Sequence, residues 1–452
     1  MNLLDAVYAL SIGPHYLYHK VVTKKYGPKV AEKTGRLADR FKTAATAPIN
    51  LDNPYQDPPC LWVHAVSVGE TVAAKDLVNM FKHDNPRWDV RVSTTTATGR
   101  GVAEKNWGAD NVFYYPLDFS SCVRRAFDKI RPTMIVLMEL EIWPNFLAEA
   151  NRRHIPVVVA NARITERSVK RLAYAPGVTK NMAQAVEAWF AQTDEYAERL
   201  LRIGVPKSRI EVTGSVKYDA VPLEIDLDVA KYYRRLFGVG ETFHADGGDT
   251  LVVTGSTHPY EEKIILETLR KVVPEGQPLP RVVLTPRHPE RLDEVEKTAQ
   301  AFGRVKRRSQ LAEPAPNENK ANADVDIILV DTMGELSKIY SAADIVFVGG
   351  TLVKHGGQNF IEPCGLAKPT VVGPYLWNFN EPAKLLGSND CLRIVQSTGE
   401  LAAAFKEVLD KPAEAAAMGA KARRLLLEQR GAARRMADRL KVMAGMLTRR
   451  EF

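Results

Sequence analysis

Cysteine is scarce in this sequence, and its few residues are scattered. The 452-residue chain has four, at positions 60, 122, 364 and 391, and no two of them form a CxxC pair. This spacing argues against the paired ligands of a zinc ribbon and against the disulfide framework of a small secreted domain. We therefore expect a protein that folds in a reducing cytoplasm.

The N-terminus lacks a long hydrophobic run. Its apolar stretch at residues 3–12 ends at Gly13-Pro14 and is far shorter than the ~20 residues that a membrane-spanning helix needs. The basic segment that opens a signal peptide is missing. Residues 3, 4, 7 and 8 share one helical face and are followed by tyrosines and lysines, a pattern that favours a helix lying in the interface of an anionic leaflet. The alternative is a short helix packed on the protein's own core.

The sequence motifs of several enzyme classes are also missing. The chain contains no Walker A, HExxH or GxSxG motif, and its nine histidines show no metal-ligand spacing. Two DxD triplets occur at 226–228 and 324–326, but the first lies in a linker and the second opens a strand. We therefore expect neither a metal site nor a separate cofactor.

Acidic residues are outnumbered by basic ones, 54 to 62, and the net charge is +8. The excess is concentrated towards the two ends of the chain, which favours an acidic partner such as anionic lipid or a phosphorylated substrate. Charge alone leaves a generic basic surface open. The C-terminal segment from residue 413 onward is predicted to be helical and basic. It has no nucleic-acid-binding motif and no interleaved aromatic residues, so no nucleic-acid partner is predicted.

Apolar runs of strand length alternate with helical patterns along most of the chain. Because most are continuous and rich in Val and Ile, they predict strands buried on both faces in parallel, doubly wound sheets. A polar, glycine-rich break at 221–249 divides them, and we predict two α/β domains, 1–220 and 221–452. The predicted strands are 61–66, 90–94, 112–116, 134–138, 157–160, 188–192, 210–213, 251–254, 281–285, 325–330, 345–348, 370–372 and 392–395.

Candidate functional residues of the first half follow predicted strands, where doubly wound folds bind ligands. Glu70, in HAVSVGE, opens a helix and could accept a proton from a hydroxyl, or it could only complement the helix dipole. Glu139 and Glu141, in ELEIWPN, share one side if the chain is still extended there, and could be a pair of acids or a capped helix start. Lys217 follows the seventh strand and could face a developing negative charge.

The second half has anion-suited turns after four successive strands, the first of them at 254–258 (TGSTH). Arg287 follows the second of its strands, and its planar guanidinium matches phosphate or carboxylate. Segment 331–336 (DTMGEL) places a glycine at a helix start, Gly349-Gly350 follows the next strand, and segment 355–363 (HGGQNFIEP) adds Asn and Glu. Together these turns predict a nucleotide site.

These motifs, in this order, resemble the 3-deoxy-D-manno-octulosonic acid (Kdo) transferases of lipopolysaccharide assembly. The resemblance covers nearly the whole chain and is most specific in the HAVSVGE, ELEIWPN, TPRHPER, DTMGEL, GGTL and GGQNFIEP segments. It implies the GT-B fold, in which two Rossmann-like domains face a central cleft, the first binding the acceptor and the second the donor. It also implies transfer of Kdo from CMP-Kdo to a lipid A precursor, with inversion and without a metal, at the cytoplasmic face of the inner membrane.

The resemblance also implies roles for single residues. Glu70 is implied as the general base, and Glu139 and Lys217 as groups that stabilise the transition state. The implied CMP-sugar site comprises Pro286, Arg287, Met333, Gly334, Glu335, Asn359, Phe360, Ile361 and Glu362, with Glu362 suited to the ribose. The chain departs from the usual family pattern at Gln358, where His is usual, at Phe360, where Pro is frequent, and at Ser215, where Asn is common.

Two other functions fit parts of the sequence. A sugar-nucleotide epimerase can share this fold, but its acid and base groups would serve the donor sugar itself and it would need no lipid-facing N-terminus. A non-catalytic nucleotide- or lipid-binding scaffold would have no use for Glu70. Turnover without an acceptor would favour the epimerase, and binding without turnover would favour the scaffold.

Overall fold

The computed structural model describes Asp5 and residues 29–38 and 58–449. The predicted interfacial helix at the N-terminus, Asp5 excepted, lies outside these residues. No helix in the described ranges is long and apolar enough to cross a lipid bilayer.

The first sheet has seven parallel strands in the order β3-β2-β1-β4-β5-β6-β7. Its central strands are buried on both faces: Leu61 and Val63 of β1 contribute to one apolar cluster, and Trp62 contributes to the other. The strands are β1 Cys60–His64, β2 Asp89–Thr94, β3 Val112–Tyr114, β4 Met134–Met138, β5 Val157–Ala162, β6 Ala188–Ala191 and β7 Ile210–Val212.

The second sheet repeats this plan with seven parallel strands in the order β10-β11-β9-β8-β12-β13-β14. Leu251 and Val253 of β8 belong to one apolar cluster and Val252 to the cluster on the opposite face. The strands are β8 Leu251–Thr257, β9 Arg281–Pro286, β10 Val305–Arg307, β11 Ile327–Leu329, β12 Ile345–Val348, β13 Thr370–Val372 and β14 Arg393–Ile394. Both predicted doubly wound sheets are thus confirmed.

Helices connect the strands of each sheet and cover its faces. Those before the second sheet are α1 Lys29–Lys33, α2 Val68–Asp84, α3 Ala97–Trp107, α4 Ser120–Ile130, α5 Pro144–Arg152, α6 Glu166–Leu172, α7 Pro176–Ala185, α8 Asp194–Arg202 and α9 Leu227–Leu236. The remainder are α10 Glu261–Val272, α11 Leu292–Ala299, α12 Leu336–Ala342, α13 Ile361–Gly365, α14 Asn380–Gly387, α15 Thr398–Asp410, α16 Pro412–Glu428 and α17 Ala432–Arg449. Short 3-10 turns include Val216–Tyr218 and Pro289–Arg291.

The chain divides into two compact units, and the division differs from the predicted one at the C-terminus. The second unit runs from Lys217 to Arg430, so its start lies within a few residues of the predicted boundary. Residues from Gly431 onward belong to the first unit, whereas the prediction placed them in the second domain. The reason is packing: Met436 and Leu440 of α17 are fully buried in the apolar cluster that also contains residues of β1 and α2.

Each sheet has one point at which its strand order reverses. In the first sheet this point lies between β1 and β4, and in the second it lies between β8 and β12. Loops that leave adjacent strands there run to opposite faces, and the crevice between them is the usual ligand site of an open α/β sheet. The segments that follow β1, β4, β8 and β12 are therefore expected to contain ligand-binding and catalytic residues.

Candidate active site

Glu70 lies at the start of α2, directly after β1 and at the reversal point of the first sheet. Ser67 caps the helix by accepting a hydrogen bond from the Glu70 main-chain N–H. The Glu70 carboxylate turns back over the same turn, where Oε2 accepts from the Val66 N–H at 2.9 Å and Oε1 from the Ser67 hydroxyl at 3.1 Å. The side chain therefore has a structural role, and it remains half-buried rather than sealed in the core.

The surroundings of Glu70 make its carboxylate more basic than usual. Burial is the largest influence and, with the nearby charges of Glu139 and Glu141, raises its pKa to about 7; the hydrogen bonds from Val66 and Ser67 act in the opposite direction. A carboxylate with a pKa near neutrality is both available as a base and able to hold a proton at physiological pH.

Glu139 and Glu141 follow β4, the other strand at the reversal point. Glu139 has φ = +57°, a left-handed conformation that non-glycine residues seldom adopt. The chain is therefore not extended at this position, and the strand alternation considered from the sequence does not apply. The Glu141 carboxylate accepts a hydrogen bond from the Trp143 indole at 3.1 Å, and burial is the main reason that its pKa is raised.

A buried polar network fixes the start of α5 beside these acids. Asp118 accepts hydrogen bonds from the main-chain N–H groups of Asn145 and Phe146, at 3.0 and 2.8 Å. Burial raises the pKa of Asp118 to about 7. Asp5 accepts hydrogen bonds from the Ser120 main-chain N–H and hydroxyl, both at 2.7 Å. The sequence did not single out Asp5 or Asp118, because their partners are more than 25 residues away.

A cavity of about 120 Å³ in the second unit is lined by some of the predicted nucleotide residues, but not by Glu335 or by any residue of the 359–362 segment. It lies after β8, β9 and β11, and its lining comprises Ser256, Thr285, Pro286, Arg287, Pro289, Leu292, Val330, Asp331, Thr332, Met333, Gly334 and Leu336. Four of the predicted residues, Pro286, Arg287, Met333 and Gly334, are thus brought together. A larger cavity of about 220 Å³ in the same unit is lined by none of the candidate residues and includes Asp344 and Pro369, which precede strands.

The residues that line this cavity include an exposed arginine and a glycine whose main chain is not covered by a side chain. Arg287 is exposed, and its main-chain N–H donates to the Thr257 carbonyl at 2.9 Å. Gly334 has φ = +84° with open space where a Cβ would lie, so a ligand can approach its main chain closely. Glu335 is instead held by its own loop, because its carboxylate accepts from the Thr332 hydroxyl at 2.5 Å and pairs with Arg308 at 3.4 Å.

The Gly349-Gly350 turn after β12 is held by Glu261, which the sequence had not singled out. The Glu261 side chain is fully buried, and its carboxylate accepts hydrogen bonds from four main-chain N–H groups. The donors are His258 (2.8 Å), Gly350 (2.7 Å), Thr351 (3.0 Å) and Leu352 (2.9 Å). A Cβ on Gly349 would lie 2.8 Å from this carboxylate, so glycine is required there.

The last predicted nucleotide residues differ in what they offer a ligand. Asn359 is exposed and its carboxamide oxygen accepts from the Ile361 N–H at 3.2 Å, whereas Glu362 is half-buried with a pKa raised by burial. Phe360 and Ile361 are buried in the apolar core of the second unit, so in this structure neither presents its side chain to a ligand.

Lys217 lies in the 3-10 turn that begins the second unit. Its ammonium donates to the Asn378 carbonyl at 3.2 Å and lies 4.9 Å from the centre of the Phe379 ring. The basic group therefore faces the segment that precedes α14.

The two DxD triplets have structural roles. Asp226 caps α9 by accepting from the Asp228 and Val229 N–H groups, and Asp326 forms an ion pair with Arg304 at 3.0 Å. In the described part of the chain, no group of three or more His, Cys, Asp or Glu side chains is arranged to hold a metal ion.

Comparison with known proteins agrees with this arrangement. The family described as 3-Deoxy-D-manno-octulosonic-acid transferase (kdotransferase) matches residues 35–220. The 3-deoxy-D-manno-octulosonic acid transferase of Haemophilus influenzae is 31% identical over 424 residues, which cover 93% of this chain and 92% of that protein. The enzyme of the same name from Bordetella pertussis is 32% identical over 416 residues, 89% of this chain and 90% of that protein.

The chain belongs to the Kdo transferase family. It is therefore a glycosyltransferase, and the family similarity spans both units rather than the first alone. Glu70, Glu139 and Lys217 lie in the stretch that the family match covers, and the residues around the 120 Å³ cavity of the second unit lie beyond it.

Solved structures support the fold at a greater evolutionary distance. UDP-GlcNAc 2-epimerase from Neisseria meningitidis, bound to UDP-GlcNAc, has a TM-score of 0.51 and 12% identity, covering 82% of this chain and 99% of that one. At this identity the likeness concerns the fold alone. The Kdo transferase chain thus has the GT-B architecture, with two parallel seven-stranded sheets.

Proposed function

We propose that this enzyme transfers Kdo from CMP-Kdo to a lipid A precursor in lipopolysaccharide biosynthesis, with inversion at the anomeric carbon. The observation that supports it most directly is Glu70: a carboxylate with a pKa raised to about 7, at the reversal point of the first sheet, in a member of the Kdo transferase family. On this proposal the first unit binds the acceptor and the second binds the donor.

The chemical step needs a base and a stabilised leaving group. Glu70 takes the proton of the acceptor hydroxyl as its oxygen bonds to the anomeric carbon, and the bond from that carbon to the phosphate oxygen of CMP breaks. The electron pair leaves with CMP, whose phosphate needs no protonation. Attack from the face opposite to the leaving group inverts the anomeric configuration. Glu139 and Lys217 stabilise the transition state, Lys217 by its positive charge.

The donor site is proposed around the cavity that follows β9 and β11. Pro286 and Arg287 line one side of the cavity and Met333 and Gly334 line another, with Glu335 next to them in the chain. We propose that Asn359, Phe360, Ile361 and Glu362 complete the site, with the Glu362 carboxylate suited to the ribose hydroxyls. Because the guanidinium of Arg287 can pair with phosphate oxygens, we propose that no metal ion takes part.

The acceptor carries phosphates and acyl chains, so we propose that the enzyme works at the cytoplasmic face of the inner membrane, as a peripheral or N-terminally anchored protein. The apolar stretch at residues 3–12 and the lysines after it support contact with an anionic leaflet. Deleting residues 1–18 should lower co-sedimentation with anionic liposomes while the circular dichroism of the rest of the chain is unchanged. Equal liposome binding would contradict this part of the proposal.

A coupled assay tests the activity. Purified protein is mixed with CMP-Kdo generated in place and a tetraacylated lipid A precursor, with EDTA present, and the lipid is examined by mass spectrometry. A gain of one or more Kdo masses is expected. If the lipid gains no mass although CMP binds, the acceptor or the sugar is wrong, and if CMP does not bind, the donor site is wrong.

The same assay separates the two alternatives. The fold likeness to a UDP-GlcNAc 2-epimerase concerns fold alone, but it makes an acceptor-free control worthwhile. Conversion of the nucleotide sugar to an isomer without the lipid would support an epimerase. Binding of CMP with no turnover under any condition would support a scaffold.

A further inference from the structure

Three histidines meet at the reversal point of the second sheet. His258 follows β8, His288 follows β9 and His355 follows β12. The His258 and His355 rings lie 4.0 Å apart between centroids, and the His258 and His288 rings lie 5.6 Å apart in an edge-to-face arrangement. His258 is buried, whereas His288 and His355 are exposed. A ligand from solvent can therefore reach the cluster from the side of His288 and His355. Nothing in the proposed mechanism uses these three residues.

Hydrogen bonding leaves one donor of His258 available. Its Nε2 accepts from the side-chain amide of Gln358 at 3.1 Å, so the proton of the neutral ring is on Nδ1. Nδ1 has no hydrogen-bond partner among the described residues, and it is not sealed from solvent. A group that binds at the cluster thus meets an unpaired N–H donor.

The surrounding charges are mostly positive, and the acids close to the cluster have other partners. Arg287 and Arg291 both face His258. Both oxygens of Glu261 accept from main-chain N–H groups, and Glu262 is paired with Arg291 at 2.9 Å. Glu290 lies 3.4 Å from His288, on its exposed side. Arg287 forms no ion pair with a carboxylate among the described residues, so its positive charge beside His258 is suited to a bound anion.

The main chain is shaped to hold His258 in this position. Gly350 has φ = +67°, and a Cβ there would lie 3.2 Å from Cδ2 of His258. The Gly350 N–H and the His258 N–H both donate to Glu261, at 2.7 and 2.8 Å. The loops after β8 and β12 are thus locked together beneath the imidazole, as expected of a preorganised site.

We propose that His258, His288 and His355 form an oxyanion subsite that takes up a proton when an acidic group of the donor binds. The proposal rests on the proposed function for the identity of the donor, which offers two such groups, the nucleotide phosphate and the carboxylate of the sugar acid. Both present oxygens that imidazolium N–H groups can bind by charge-assisted hydrogen bonds.

The sign of the pH dependence follows from the free state. Burial first, and then electrostatic interaction with the neighbouring His355, His288, Arg287 and Arg291, lower the pKa of His258 to about 4. The cluster is therefore largely uncharged at this position near neutral pH, and a bound anion raises that pKa. Affinity for the anion should rise as pH falls from 8 towards 5, by up to about ten-fold per pH unit for each linked proton.

Calorimetric titrations test the subsite. Three titrations are made at pH 7: CMP into the free enzyme, cytidine into the free enzyme, and free Kdo into the enzyme saturated with CMP. Each is repeated in two buffers with different heats of ionisation. The difference between the two measured enthalpies gives the number of protons taken up on binding. H258Q should abolish the uptake and weaken binding of the anion about ten-fold or more. Because H258Q alters a buried position, the surface double variant H288Q/H355Q is measured too, and it should reduce the uptake. H83Q, on an exposed histidine of α2, serves as the control.

The three titrations identify which acidic group of the donor binds at the histidine cluster. Proton uptake with CMP but not with cytidine identifies the phosphate as the bound group, and uptake only when Kdo follows CMP identifies the carboxylate. The proposal is overturned if neither anion binds, if no probe causes proton uptake, or if H258Q and H288Q/H355Q both retain the uptake of the unmodified enzyme. A failed Kdo transfer assay with histidine-dependent uptake of a proton by CMP would count against the proposed activity and leave the subsite standing.

Discussion

At the scale of single residues, the Glu70 carboxylate is subject to opposing influences. Two hydrogen bonds stabilise its charged form, while burial and the charges of Glu139 and Glu141 favour its neutral form, and the second group is stronger. The capping bonds nevertheless hold the carboxylate in one place, at the end of β1. A base needs both properties, because geometry selects the proton and pKa sets how readily it is taken.

Replacing Glu70 with Gln should separate catalysis from binding. The amide keeps the size of the side chain but cannot accept a proton, so we expect kcat to fall by about 10²–10⁴. CMP affinity should change little, because the proposed donor residues belong to the second unit. The measurement is single-turnover transfer together with calorimetric CMP binding.

Glu198→Gln is the matched control, since Glu198 is an exposed glutamate in the same unit. It should leave both rate and affinity unchanged. Normal turnover by the Glu70→Gln enzyme would remove Glu70 from the mechanism.

The pH dependence of kcat/KM should reflect the charges that lie near Glu70. Because its pKa is raised to about 7 and the base must be ionised, kcat/KM should rise with pH through about 7 and then level off. Glu141→Gln removes one of the nearby negative charges that raise this pKa, so the rising limb should move to lower pH. Profiles of kcat/KM for the two enzymes measure the shift. An unmoved limb would show that Glu141 does not influence the base.

The sequence located some site residues and not others for a physical reason. Glu70 and Arg287 could be predicted because each directly follows an apolar run, and strand ends are where this fold binds ligands. Glu261 could not, because most of its partners lie about 90 residues away in the loop after β12. The position of His258 after a strand was predicted, but its contacts with His355 and Gln358 were not, because those residues lie about 100 residues away. A glutamate at a helix start has the same local pattern whether it faces solvent or receives four main-chain hydrogen bonds.

At the scale of elements, Glu261 shows how one side chain joins two loops. It belongs to the first turn of α10, yet most of its hydrogen bonds go to the loop after β12. Those main-chain donors would otherwise be buried without a partner, which is costly. The loops on the two sides of the reversal point are therefore a single structural unit.

Glu261→Gln should weaken this unit. The amide replaces one oxygen with an NH₂ group that faces main-chain N–H donors, so we expect a loss of about 3 kcal/mol in the free energy of unfolding. Urea denaturation followed by circular dichroism measures it. Glu267→Gln on the same helix is the control, because the ion pair of Glu267 with Lys263 is exposed and should contribute under 1 kcal/mol. Equal effects of the two substitutions would refute the proposed tie.

The strands show what an apolar pattern can and cannot predict. Thirteen of the fourteen strands coincide with predicted runs. Most of these strands are buried along their whole length, and a strand covered on both faces must be apolar throughout. The missed strand is β10, whose three residues, VKR, are half-buried at the edge of the second sheet. Edge strands need little apolar surface, so no pattern marks this one.

At the scale of the whole molecule, the terminal helix is the element whose place the sequence could not give. The segment was predicted to be helical and basic, which it is, but an apolar stripe says only that one face is buried. Its position is set by partners distant in sequence: Arg434 pairs with Asp84 at 3.0 Å, and Arg439 pairs with Glu211 at 2.9 Å. The last helix thus returns the chain to its first unit.

Because α17 packs in the first unit, a mutation in α17 is expected to destabilise that unit. Leu440 is fully buried in the apolar cluster of the first unit, and Leu440→Ala should cost about 3 kcal/mol through lost burial and a residual cavity. In differential scanning calorimetry, saturating CMP should raise the melting temperature of the second unit and leave that of the first unchanged. Leu440→Ala should then lower the CMP-insensitive transition by several degrees.

Val442→Ala tests whether that loss comes from burial, because Val442 is half exposed on the same helix and its loss should cost under about 0.5 kcal/mol. If Leu440→Ala instead lowers the CMP-sensitive transition, the helix stabilises the second unit, as the sequence alone had suggested. Movement of the CMP-insensitive transition alone would show that the chain's last helix is part of the fold that holds Glu70, so that a truncation before residue 431 would remove transfer while leaving nucleotide binding in place.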